Sequence, residues 1–174
     1  MGRARGGDPG GLSGLEAIAA FFLENDLAIT VISHHGDDAT VERLFRRPSM
    51  AVCTDGLMPG PGQKPHPRSI GTFPKALRTA RELGIPLQRI VHRMTELPAR
   101  FLHLESPVLR AGADASLVLF DAERVTERNT YAEPFIPPEG IERVWVHGRL
   151  VLDRGTFHVP KELPGRVLKV VEGR

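Results

Sequence analysis

The chain has one cysteine, Cys53, among its 174 residues, which excludes an internal disulfide framework and suits a reducing compartment. Cys53 sits in an apolar run and reads as a small core residue rather than a nucleophile. Aromatic residues are scarce, with eight phenylalanines, one tryptophan and one tyrosine. The charges nearly cancel at +2, and the basic residues are scattered apart from a small group at Arg43, Arg46 and Arg47. A nucleic-acid surface needs a basic stripe with interleaved aromatics, so no nucleic-acid partner is expected. Hydrophobic runs are short as well. The longest, Ala17 to Leu23, falls far below the ~20 residues of a membrane span, and no secretory signal is read. A cytoplasmic protein with no membrane partner is expected. His-x-His and His-Glu-x-x-His are both missing. The seven histidines, at 34, 35, 66, 92, 103, 147 and 158, are dispersed.

With 41% apolar residues, a chain of this length buries roughly two-thirds of its unfolded surface, as one large domain or two small ones. Met1 to Gly11 is rich in glycine and is expected to be disordered. Leu15 to Glu24 has helical spacing. Leu27 to Ile32 is a β-branched apolar run and reads as a buried strand. Asp37 and Asp38 can cap a helix carrying Val41, Leu44 and Phe45, which Pro48 ends. Met50 to Thr54 reads as the next strand, completing a parallel βαβ unit. Further helices are expected from Pro74 to Leu83, Leu87 to Met94 and Pro98 to Leu102.

The pattern changes near Ser106 to Gly112. Ser116 to Phe120, Val144 to Val146 and Leu150 to Leu152 are short β-rich pieces, and His147-Gly148 reads as a tight hairpin turn. Trp145 lies in a period-2 run and is expected in the core or at the edge of a β-sandwich. The fold class expected is α/β. Residues 12–105 look like the last two strands and helices of a TIM-like barrel, and 106–174 like part of a small β-sandwich. Two parallel strands cannot close a barrel.

Asp55 is the leading candidate for chemistry. It closes Met50-Ala51-Val52-Cys53-Thr54 and opens a loop rich in glycine and proline. A carboxylate at the C-terminal end of a buried strand is how barrel enzymes present a catalytic group. The competing reading is an Asx turn or helix cap. The loop runs into Lys64-Pro65-His66-Pro67-Arg68-Ser69-Ile70-Gly71-Thr72-Phe73-Pro74, a polar cluster without helical or strand periodicity.

That cluster, together with Thr54-Asp55-Gly56, Arg93-Met94-Thr95-Glu96-Leu97-Pro98-Ala99 and Glu139 to Gly148, resembles the C-terminal part of N-acyl-D-amino-acid deacylases. These belong to the metal-dependent amidohydrolase superfamily, and the likeness spans about residues 8 to 168. Two positions depart from the pattern. Ile70 stands where an aromatic residue is expected, and Ser116 replaces the usual aspartate. The resemblance implies zinc, a barrel beside a small β-sandwich, and a small N-acyl amino acid as substrate. It places the zinc ligands, a His-x-His pair among them, before residue 1. A missing barrel half or partner chain would then be needed, and the 174-residue chain alone is expected to be inactive.

Under that resemblance Asp55 is the general base and acid, taking a proton from a zinc-bound water and passing it to the leaving amine. Arg68 is the candidate for gripping a substrate carboxylate bidentately, against the plainer reading of a surface ion pair. His66, displayed between two prolines, either polarises the carbonyl or makes a structural hydrogen bond. Ser69 serves the substrate-binding loop. His34 and His35 point opposite ways if extended, which disfavours one shared ion, and His92 is expected to be solvated. Two alternatives stay open: a cyclic-amide hydrolase of the hydantoinase or dihydroorotase type, and a non-catalytic remnant that pairs its exposed strand edge with a partner chain.

Overall fold

Residue pattern and capping chemistry account for most of the helices. The computed structural model describes residues 11, 13–27, 36–57, 59–105 and 107–167. The expected strand at Leu27 to Ile32 apart from Leu27 itself, the His34-His35 pair and nearly all of Met1 to Gly11 lie outside them. The chain divides into two compact units, Met1–Val41 and Glu42–Arg174. In the first, α1 (Gly14–Glu24) starts from a capping box. The Ser13 N–H donates to Glu16 Oε2 at 2.8 Å and Ser13 Oγ accepts from the Glu16 N–H. The unit boundary falls within α2 (Asp38–Phe45), where Asp37 Oδ1 accepts from the Thr40 N–H at 2.8 Å.

The second unit holds α3 (Arg68–Glu82), α4 (Leu87–Met94) and α5 (Glu96–Phe101). α3 begins six residues earlier than expected, and Pro74 lies inside it rather than opening it. The reason is local. Pro67 already has helical dihedrals, and its carbonyl accepts from the N–H groups of Ile70 and Gly71, so the helix is nucleated ahead of Pro74. The polar cluster from Arg68 to Pro74 is therefore helical. Among the described residues no helix is long and apolar enough to cross a membrane.

Four strands follow, β1 (Leu117–Phe120), β2 (Ile141–Val146), β3 (Arg149–Asp153) and β4 (Thr156–Phe157), in one antiparallel sheet of that order. His147-Gly148 and Arg154-Gly155 make the two tight turns, with positive φ at both central residues of each, the primed geometry that matches strand twist. The first turn was legible in the sequence. The second, with β4, was not.

The buried core is Ala76, Leu77 and Ala80 from α3, Ile90 from α4, and Val125 from the long β1–β2 connection. Val125 is 0% exposed. Gly140 lies against it at φ 80°, and a Cβ there would come within 2.7 Å of the Val125 backbone. Two arginines of α3 bind the same connection. Arg81 donates to the carbonyls of Ala122 and Val125, and Arg78 forks onto Glu127 at 2.6 and 3.0 Å.

Met50 to Thr54 differs from the buried strand expected of it. Ala51 and Cys53 are exposed while Val52 and Thr54 are half-buried, and no ladder pairs the segment among the described residues. Cys53 is thus not a core residue in this structure, because no neighbouring element among those described covers its side. Arg93 holds the segment instead. It is 3% exposed, donates to the carbonyls of Met50 and Phe45 at 2.6 Å each, and lies over the Phe45 ring at 4.9 Å. Its own carbonyl accepts from the Val52 N–H at 3.0 Å. Burial pushes the Arg93 guanidinium below its ordinary pKa.

Candidate active site

The segment anchored by Arg93 ends at Asp55, whose φ of 45° is left-handed. Aspartate tolerates that region better than most residues, and here an external clamp supports it. Arg68 Nε donates to the Asp55 carbonyl at 2.8 Å, and Arg68 Nη2 pairs with Asp55 Oδ2 at 2.9 Å. The guanidinium thus grips the main chain and side chain of one residue together. The carboxylate is 80% exposed, so the pair adds about 1 kcal/mol or less to stability. Its consequence is geometric. It aims an accessible carboxylate from a fixed backbone.

The next residues pack tightly beneath it. A Cβ on Gly56 would meet Ser69 Cα at 2.8 Å, so only glycine lets the loop lie on the first turn of α3. Ser69 Oγ donates to the Leu57 carbonyl at 3.4 Å, a long bond that closes the loop. His66 Nδ1 accepts from the Arg68 N–H at 3.0 Å, and its Nε2 lies 3.2 Å from the Tyr131 hydroxyl. Although His66 is exposed overall, desolvation of its ring lowers its pKa, the Arg68 charge lowers it further, and Asp55 acts the other way.

All four residues singled out from the sequence, Asp55, His66, Arg68 and Ser69, therefore fall in one neighbourhood. Sequence reasoning missed the second layer. Asn129 Nδ2 donates to the Pro67 carbonyl at 2.7 Å, and Lys64 Nζ to the Ala132 carbonyl at 2.6 Å. With Tyr131, these fasten the β1–β2 connection to the segment carrying His66 and Arg68. Nothing in the sequence pattern of 121–140 announced this, since its contacts lie about sixty positions upstream. His92 is half-exposed and sits 3.2 Å from Glu96 across one helical turn. Ser116, standing in for an aspartate, accepts from the His147 N–H at 3.2 Å, while Asp114 takes the His147 ring at 2.6 Å. A separate groove of about 660 Å³, lined by Arg46, Arg89 and Arg93 among others, contains none of the candidate residues.

Among the described residues, no three His, Cys, Asp or Glu side chains gather as a metal site. The nearest charged partner of Asp55 is a cation. These residues do not by themselves fit a metal centre.

A model of the amidohydrolase family matches residues 10–152. The chain belongs to the amidohydrolase family. Within it, the chain is similar to the N-acyl-D-aspartate deacylase of Alcaligenes xylosoxydans xylosoxydans, at 40% identity over 162 residues, covering 88% of this chain and 32% of that protein. Its fold is similar to the N-acyl-D-glutamate deacylase of Bordetella bronchiseptica, solved with zinc and a phosphonate inhibitor that mimics the tetrahedral intermediate. There the TM-score is 0.59 and the identity 42%, covering 66% of this chain and 24% of that one. A D-aminoacylase structure gives a TM-score of 0.66 at 35% identity, covering 76% of this chain and 28% of that one. The chain thus spans about a quarter to a third of the length of these relatives.

Proposed function

We propose that this chain is part of a zinc-dependent amidohydrolase that cleaves the amide bond of N-acyl-D-amino acids. Residues 12–105 would contribute the last portion of its barrel and 106–174 part of its small β domain. The observation that carries the reading is the clamped, exposed Asp55 at the head of a loop shared with His66, Arg68 and Ser69. The names of the relatives support the substrate class, and they do not favour a cyclic-amide hydrolase.

In this reading Asp55 accepts a proton as the nucleophilic water attacks and returns it to the leaving amine, a role that needs an accessible carboxylate on a fixed backbone. Arg68 keeps donors on Nη1 for the substrate carboxylate while Nε and Nη2 hold Asp55. Zinc accompanies the Bordetella relative. The described residues offer it no ligand set.

In the enzyme that carries this segment, Asp55→Ala should lower kcat for N-acetyl-D-amino acids by on the order of 10²-fold or more. The melting temperature should fall only slightly, since the exposed pair and the left-handed backbone at position 55 together cost alanine about 1 kcal/mol. Hydrolysis at the wild-type rate would remove Asp55 from the chemistry. The 174-residue chain alone, supplied with zinc, is expected to show no turnover. A partner-chain reading draws support from the exposed apolar strand β1, and concentration-dependent sedimentation would favour it.

A further inference from the structure

The connection between β1 and β2 places a tyrosine against the candidate site, and hydrogen-bond logic gives that contact a direction. The Arg68 N–H lies 3.0 Å from His66 Nδ1. A backbone amide can only donate, so Nδ1 must be bare. A neutral imidazole with a bare Nδ1 carries its hydrogen on Nε2. That nitrogen is 3.2 Å from the Tyr131 hydroxyl, and the two rings meet edge to face with centroids 5.0 Å apart. His66 is therefore the donor and Tyr131 the acceptor. Protonating Nδ1 would set one N–H against another, beside the Arg68 guanidinium. The groups facing the ring are Arg68 and Asp55 from the loop and the start of α3, and Tyr131 from the connection.

We propose that Tyr131 is a positioning residue: its hydroxyl holds His66 in the Nε2–H form and thereby fixes the turn from which Arg68 reaches Asp55. The connection can act as a clamp because it is itself fastened on both sides of Tyr131. Asn129 bonds the carbonyls of Pro67 and Pro134, and the Ala132 carbonyl takes Lys64. Under this assignment His66 is a wedge that neither gains nor gives up a proton during turnover. The inference rests on the deacylase reading only in calling these surroundings an active site.

Long-range proton–nitrogen NMR on the whole 174-residue chain tests it without any turnover. The expected wild-type result at neutral pH is a bare Nδ1 and a protonated, slowly exchanging Nε2 at His66. In Tyr131→Phe, which keeps the ring packing and loses only the hydroxyl, the slow Nε2–H signal should be lost and the Arg68 amide should exchange faster. An Nδ1-protonated or tautomer-averaged His66 in the wild type overturns the proposal. So does a Tyr131→Phe variant that retains both signals. Should that variant fail to fold, the wild-type exchange rate decides: an Nε2–H that exchanges as fast as in a free imidazole overturns the proposal, and a slowed one supports it. A failed deacylase assay would leave this result standing, and a failed tautomer assignment would leave the deacylase reading standing.

Discussion

The α3–α4 pair and the four-stranded sheet belong to one unit, yet they are held together differently. The helices bury Ala76, Leu77, Ala80 and Ile90, and they draw Val125 in from the β1–β2 connection to complete the packing. The sheet buries no strand residue fully, and Leu117, Val118 and Leu119 of β1 are 38%, 54% and 48% exposed. The helical part is thus stabilised by close side-chain packing, while the sheet has its ladder hydrogen bonds, its two tight turns and the packing of Phe120 and Ile141 on that helical core. What joins them is the packing of Phe120 and Ile141, from β1 and β2, on the helical core, together with the connection through Val125, Glu127 and Asn129, and the candidate site is fastened by that same connection. The sheet matters to the site mainly as the anchor of its own longest loop.

The contrast predicts where substitutions hurt. Ile90→Ala removes a side chain that is 1% exposed and should cost about 3 kcal/mol in a denaturant-unfolding measurement. A loss below about 1 kcal/mol would mean that the helical core is not the packed element described above.

Glu127→Gln comes next, because it cuts the fork joining α3 to the connection. Burial of Glu127 works against its charge. The Arg78 fork, its own backbone N–H and Thr126 outweigh that, so its carboxyl titrates below the usual 4.5. Arg78, bonded to both Glu127 and Glu82, is pushed above its ordinary value and stays charged throughout. A depressed carboxylate adds stability that is complete above about pH 4.5 and is lost as the pH falls through the lower folded value. At neutral pH the variant should be about 1–2 kcal/mol less stable. Below that window the wild type should lose its advantage, and the two unfolding curves should converge. Curves that stay parallel down to acid would show that the charge of the fork contributes nothing.

Particular residues show why some of this was legible in the sequence and some was not. Local signals worked: the apolar spacing of Leu15 to Glu24 and of Leu87 to Met94, and the His147-Gly148 turn, all act within a few residues. Asp55, His66, Arg68 and Ser69 were visible because they flank one loop. Pro74 misled because it was read as a helix start, when Pro67 had already set helical dihedrals. Arg93 and Tyr131 could not be read from pattern. Their partners, Met50 and His66, lie 43 and 65 positions away in the chain. Cys53 and the run around it carry a strand-like composition that no described element covers.

The smallest effect tests the sheet itself. Val118 pairs with Val144 in the ladder, and its side chain is 54% exposed. Val118→Thr keeps the β-branched shape that suits a strand and replaces a methyl with a hydroxyl that water can reach. The change in unfolding free energy should therefore stay within about 0.5 kcal/mol. A cost above about 1 kcal/mol, growing with protein concentration, would mean that a second copy covers this face in solution. The exposed strand would then be an interface, and the contrast between a packed helical part and an open sheet would describe only the isolated chain.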